Sequence, residues 1–156
     1  MMVRIRSALV LAGVVFAVAT GAAQVPLSEE QVVTQFQRAA DSYAFGHRQT
    51  ERRGVTVRPA QEGALFTPPA AALFRSRIRA ATARGCVVAA ASGLVPRVNG
   101  GIEGTAIVPP CIAAVLPRLP EELEYRSGGI ALVLVDAHLS VVVDVLHAAF
   151  PESIAP

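Results

Sequence analysis

The sequence predicts a small α+β domain, in which two main helices pack on a C-terminal three-stranded antiparallel meander. Near the start of the domain, apolar residues recur every three or four positions, which is typical of an amphipathic helix. In the last third, the pattern changes to runs of β-branched and aliphatic residues separated by turn signals, which indicates short strands. Packing an amphipathic helix pair on a small sheet buries both apolar surfaces.

Residues 1–23 have the three parts of a secretory signal peptide. A short start with two arginines precedes an uncharged run from Ser7 to Ala23, which ends in small residues. We expect cleavage after Ala23, with Ala22 as the alternative, to leave residues 24–156 as one periplasmic or secreted globular domain. An uncleaved anchor is disfavoured, because a run of 17 uncharged residues is at the lower limit for spanning about 30 Å of bilayer.

Composition excludes several classes of protein. All 14 cationic residues are arginine, and residues 24–156 carry 12 arginines against 12 acidic residues, so a strongly basic nucleic-acid binder is excluded. A hydrophobic content of 53% excludes intrinsic disorder. Two cysteines are too few for a disulfide-dense mini-protein or a four-cysteine zinc site. We find no cofactor signature, and we expect no stable membrane insertion after cleavage.

The first helix is predicted from Ser28 to Arg53. Ser28 and Gln31 have the spacing of a capping box, in which each side chain bonds the backbone N–H of the other residue. The apolar stripe continues to His47, which is interpreted as a core or boundary residue because it lies on that stripe. Gly54 ends the helix.

The middle of the chain is predicted to be less regular. Thr67 is a candidate N-cap for a second helix over residues 68–84, since prolines suit the first turn of a helix. Residues 86–92 either continue as a third helix or form a buried segment. Glycines and prolines indicate that residues 94–110 are irregular, and residues 111–116 form at most two helical turns.

The final third is predicted to hold three strands, over residues 123–127, 130–136 and 140–146. The residues between them fit tight connections. The second and third strands are apolar at nearly every position, which indicates that both faces of the sheet are partly covered. The two main helices are the available covers.

Cys86 and Cys111 have two interpretations. Outside the cytoplasm the pair can form a disulfide, which would close a loop and stabilise the fold by about 3–3.5 kcal/mol. Alternatively, both are buried free thiols that pack as small hydrophobic residues.

Asp136, His138 and Asp144 are the strongest candidate for chemistry. They lie at or near the second predicted turn, where a carboxylate and an imidazole together suit a metal site or a general base. Because only two of the groups are local to the turn, the simpler interpretation is that the aspartates bond turn backbone.

Arg75 and Arg79 are a second candidate, as an anion-binding or small-ligand site. They are one turn apart on the second helix, and guanidinium groups match phosphate and carboxylate geometry. The simpler interpretation is a solvated helix face.

Several segments resemble a group of uncharacterised secreted bacterial proteins. The resemblance rests on Tyr43 followed by His47 and Arg48, on Phe66-Thr67-Pro68, and above all on residues 109–146 with LPEELEYR at 119–126. This chain departs from the group in having Ser-Gly-Gly at 127–129. The resemblance implies a single secreted domain and no catalytic residues.

The sequence therefore favours a non-catalytic domain that contacts another protein of the cell envelope. The alternative is a small-ligand or anion-binding module that uses Arg75 and Arg79. A lower alternative is a metal-assisted enzyme at the 136–144 hairpin. Oligomeric state and partner are not indicated by the sequence.

Overall fold

The computed structural model describes residues 26–53, 59–88 and 96–151. These residues form three helices and four strands, in the order α1 Glu29–Arg53, α2 Pro68–Ala83, β1 Ala106–Ile107, α3 Pro110–Ala113, β2 Leu123–Gly128, β3 Ala131–Asp136 and β4 Val141–Leu146. The predicted α+β class is confirmed, with four antiparallel strands where three were expected. The predicted signal peptide at 1–23 lies outside the described residues. None of the described helices is both long and apolar enough to cross a bilayer.

The two helix starts differ in how they are capped. At α1 the capping box is confirmed, since Ser28 N donates to Gln31 Oε1 at 2.8 Å and Gln31 N donates to Ser28 Oγ at 3.2 Å. At α2 the prediction is only half right, because Thr67 occupies the N-cap position but its side chain makes no capping hydrogen bond. Pro68 and Pro69 follow it, and prolines lack the N–H that a cap would satisfy.

The sheet has the order β1-β2-β3-β4, and β2, β3 and β4 are the predicted meander. The additional strand, β1, lies within residues predicted to be irregular, and it pairs Ala106 with Ser127 of β2. A strand of two residues between Gly104 and Pro109 has no periodicity of its own. Its extended conformation is stabilised by the neighbouring strand, which local sequence does not reveal.

The two faces of the sheet are covered by different parts of the chain. Leu132 and Leu134 of β3 pack in the core formed with the helices. Val133 and Val135 point to the opposite face, where a second cluster includes Val98 and Ile102. The helices therefore cover one face as predicted, whereas residues 96–105 cover the other.

Gly128 makes this second cover possible. A Cβ atom on Gly128 would lie 2.3 Å from Cγ of Pro96, so any side chain there would displace the covering segment. The Ser-Gly-Gly sequence thus has a packing reason, and the β2–β3 connection is a two-residue turn in which Gly129 has a φ of +58°.

One edge of the sheet is protected and the other is exposed. Along β4, Asn99 N donates to Val142 O and Val142 N donates to Gly100 O, both at 2.8 Å. The chain then crosses the sheet to β1, which has a strand neighbour on one side only. Ile107 on this edge is 67% exposed.

Cys86 and Cys111 form a disulfide, with their Cα atoms 6.0 Å apart. The disulfide interpretation is therefore confirmed over that of free thiols. The bond joins the end of α2 to the first turn of α3. A disulfide is compatible with the predicted location outside the cytoplasm.

Candidate functional site

Asp144 holds the segment that leads into α2. Its Oδ1 accepts hydrogen bonds from Gly63 N at 2.7 Å and Val145 N at 2.8 Å. Its Oδ2 accepts from Leu65 N at 2.8 Å and Phe66 N at 2.7 Å. The carboxylate is fully buried and satisfies four backbone donors. Asp144 is thus an anchor of the fold.

A β-bulge places Asp144 in this position. In the β3–β4 register Leu134 is opposite Asp144, but Val135 is opposite Val142, so Val143 is an extra residue on β4. Val143 and Leu134 both belong to the core beneath the helices. The extra residue allows two successive side chains of β4 to face the helix side, where strict alternation would turn one away.

Asp136 is the centre of a second buried polar cluster. Its Oδ1 accepts from His138 N at 3.0 Å and Leu139 N at 2.9 Å, which holds the β3–β4 turn. Its Oδ2 accepts from the Tyr43 hydroxyl at 3.1 Å and lies 2.8 Å from His47 Nδ1. The side chains of His47 and Asp136 have no exposed surface.

The geometry of this cluster follows from the spacing in α1. Tyr43 and His47 are four residues apart, so both point from one face of the helix toward the end of β3. Burial, reinforced by the charge of Asp136 and the hydrogen bond to it, raises the pKa of Tyr43, and the phenol remains a protonated donor. His47 was interpreted as a core or boundary residue, and it lies in the buried interior. Its partner Asp136 was not predicted, because it is remote along the chain.

The three predicted metal ligands do not form a metal site. Asp136 and Asp144 each use both oxygens to accept bonds from different segments, and His138 lies at the surface with its ring centroid 5.9 Å from that of His47. Over the described ranges, no group of three His, Cys, Asp or Glu side chains is arranged to hold an ion. The carboxylates bond backbone, as the simpler interpretation expected.

The two predicted anion-binding arginines have different roles. Arg75 donates from Nε and Nη2 to the carbonyl oxygen of His147, at 3.1 and 2.9 Å, and so ties α2 to the end of β4. Arg79 is exposed on the same helix. Between them, Arg77 pairs with Glu29 and donates to Val115 O at 3.2 Å. The geometry therefore does not favour a joint anion site at Arg75 and Arg79.

Glu122 links α1 to the sheet. Its carboxylate pairs with Arg48 of α1, and its backbone carbonyl accepts from Ala137 N at 2.9 Å. Burial opposes ionisation of Glu122, but a hydrogen bond from its own backbone, the contact with Arg48 and the nearby charge of His138 together lower its pKa.

We expect replacement of Glu122 by glutamine to destabilise the protein near pH 7 by at most about 1 kcal/mol, because Arg48 is 47% exposed and water screens the pair. A carboxyl whose pKa is lower when folded stabilises the protein above its unfolded pKa, and this stabilisation is lost as pH falls through the folded value. Thermal unfolding of the wild type and Glu122→Gln from pH 7 to 3 should therefore converge. Glu121→Gln, at an exposed neighbour, is the control, and a constant difference at all pH values would contradict the prediction.

An open groove lies beside the exposed edge of the sheet, where β1 pairs with β2. Its volume is about 400 Å³. It is lined mainly by apolar residues of β1, α3, β2 and the intervening loop: Ile107, Val108, Ala113, Pro117, Arg118, Leu119, Leu123, Glu124 and Tyr125. We call this feature the edge groove. No sequence pattern pointed to it, since its residues are dispersed and only β1 places them together.

Tyr125 connects two parts of the edge groove, the strand β2 and the loop that precedes it. Its hydroxyl donates to Pro117 O at 3.2 Å, which fixes the loop between α3 and β2. Burial raises the pKa of Tyr125, against an opposing effect of the Arg77 charge, so the phenol remains a donor at neutral pH. The hydrogen bond therefore attaches the loop that contains Pro117, which lines the groove, to the sheet.

Comparison with known proteins adds no assignment. No protein-family model, curated protein or solved structure matches this chain. The resemblance to a group of secreted bacterial proteins therefore stays a prediction.

Proposed function

We propose that this protein is a periplasmic or secreted, non-catalytic domain that binds an extended segment of another envelope protein in the edge groove. The proposal rests on one observation: an open, mainly apolar groove runs beside the short edge strand β1, whose last residue, Ile107, is largely exposed. Exposed edge strands are templates for an added strand, and neighbouring apolar pockets then select side chains.

The charges at the groove indicate the chemistry of the partner. Glu124 Oε2 lies 3.7 Å from Arg126 Nε, so the charge of Glu124 is partly compensated within the protein. Arg118 is exposed at the groove, and none of the ion pairs among the described residues includes it. The complementary occupant is an extended apolar segment with a carboxylate that reaches Arg118.

The roles of the other polar groups agree with a binding function. The buried carboxylates of Asp136 and Asp144 hold turns and loops in place, and Arg75 and Arg77 tie α2 to its neighbours. These side chains stabilise the scaffold on which the groove is built.

Site-specific photo-crosslinking in the exporting host tests the proposal. With p-benzoylphenylalanine at Ile107, we expect one discrete adduct, whose crosslinked peptide is apolar and contains an acidic residue or a C-terminal carboxylate. The same probe at Ala80, on the exposed side of α2, should not give this adduct.

A charge reversal in the groove provides the matched variant. Arg118→Glu should reduce the yield of the Ile107 adduct about tenfold or more, since like charges at an interface are strongly unfavourable. Arg79→Glu, on an exposed helix face outside the groove, should leave it unchanged. Equal adducts from 107 and 80, an adduct only with a second copy of this chain, or insensitivity to Arg118→Glu would each overturn the proposal.

A further inference from the structure

The Cys86–Cys111 disulfide lies at the surface, in an open cleft of about 340 Å³. The cleft is lined by the two cysteines together with Ala81, Arg84 and Gly85. Cys111 is exposed, whereas Cys86 is half-buried. Thiol–disulfide exchange requires a thiolate to reach one sulfur of the bond, and access is a main determinant of its rate. The cleft provides that access in the folded protein.

A cation accompanies the disulfide in this cleft. Arg84 is the C-cap residue of α2, where its backbone N–H bonds the last turn and its exposed side chain lines the cleft. None of the ion pairs among the described residues includes Arg84. A neighbouring guanidinium stabilises thiolates, which are both the attacking and the leaving groups of exchange.

Besides the disulfide, two other contacts attach α3, the helix that contains Cys111, to the rest of the protein. The side chain of Ile112, the next residue, is fully buried in the main core, and Arg77 of α2 donates to the carbonyl of Val115 just beyond α3. These contacts do not depend on the disulfide. We therefore expect them to keep α3 in place when the S–S bond is open, with the two sulfurs near each other for reoxidation.

We propose that Cys86–Cys111 is a thiol-exchange site whose substrate is a dithiol redox partner outside the cytoplasm, and this inference does not depend on the edge groove. A thiolate of the dithiol attacks Sγ of Cys111, the bond to Cys86 breaks, and Cys86 leaves as a thiolate. The second thiol of the donor, as a thiolate, attacks the donor's sulfur in the mixed disulfide and releases Cys111. The donor is oxidised to its own disulfide, two electrons pass to this protein, and both cysteine thiolates take protons from water. Oxidation by a disulfide partner reverses these steps.

Reduction of the purified oxidised protein by dithiothreitol tests the proposal, with free cysteines trapped by a maleimide at timed intervals. We expect the rate of reduction in native buffer to be within about tenfold of the rate in guanidinium. The native rate should be first order in dithiothreitol, and low concentrations of urea should not change it. The far-ultraviolet circular dichroism should remain that of the folded protein. Reduction that needs denaturant, or loss of the fold on reduction, would show that the bond is only a structural crosslink.

Arg84→Gln tests the role of the cation. We expect this change to slow native-state reduction about threefold or more, because the leaving thiolate loses its neighbouring charge. Arg79→Gln, an exposed arginine outside the cleft on the same helix, should react like the wild type. Equal rates for both variants would overturn the assignment of Arg84.

Discussion

Replacing Asp144 by alanine is expected to lower the free energy of unfolding by about 3–5 kcal/mol, because it leaves buried backbone donors without an acceptor. Three of the four donors to Asp144, those of Gly63, Leu65 and Phe66, belong to the segment that leads into α2. Both Leu65 and Phe66 contribute to the main core. Losing the carboxylate therefore weakens the attachment of α2 to the sheet as well as the hydrogen bonds themselves.

Urea unfolding followed by circular dichroism measures this effect. Asp144→Asn should fall between the wild type and Asp144→Ala, since one amide oxygen can still accept while the amide nitrogen meets N–H donors. Asp41→Ala, at an exposed position of α1, is the control and should change stability by less than about 0.5 kcal/mol. A loss below about 1 kcal/mol for Asp144→Ala would contradict the anchoring role.

Replacing Asp136 by alanine is expected to destabilise the protein by a similar amount, about 3–5 kcal/mol, because it leaves several buried donors without an acceptor. The oxygen that lies 2.8 Å from His47 Nδ1 is lost with the carboxylate, in a site with no exposed surface. Asp136 also accepts from the Tyr43 hydroxyl and from two backbone N–H groups of the β3–β4 turn. The substitution thus affects α1, β3 and the turn together.

A double-mutant cycle separates the His47–Asp136 pair from the rest of the cluster. His47→Gln, Asp136→Asn and the double variant should show a coupling energy above about 1 kcal/mol, since the two side chains are in contact and fully buried. Tyr43→Phe removes a single hydrogen bond and should lose only about 1 kcal/mol. Additive effects at His47 and Asp136 would mean that their contact contributes nothing to stability.

The sequence around Asp136 and Asp144 predicted only some of the contacts that these buried carboxylates make. The turn residues His138 and Leu139 follow Asp136, so its local bonds were predictable as those of an aspartate at a strand end. Its contacts with Tyr43 and His47 were not, because they depend on how α1 crosses the sheet. The contacts of Asp144 depend on the β-bulge at Val143, and no local sequence pattern predicted that bulge.

The disulfide illustrates the same division. Export was predicted from residues 1–23, and an oxidising location makes a bond between Cys86 and Cys111 chemically reasonable. Whether the two cysteines could meet depended on the packing of α3 against the end of α2. That packing is set by Ile112 and its neighbours in the core, since the separation of the cysteines along the chain does not determine their distance in space.

Strong local signals predicted three parts of the fold correctly: the capped α1, the α2 helix that starts with prolines, and the meander of β2, β3 and β4. Periodicity, caps and turn residues act within a few positions of the chain, so these elements can be predicted without knowledge of the tertiary structure. Local sequence did not predict the edge strand β1, the cover formed by residues 96–105, the edge groove or the pairing of His47 with Asp136. Each of these arises from contacts between segments far apart in sequence, and the free energy that selects them comes from burial and hydrogen bonding across those segments.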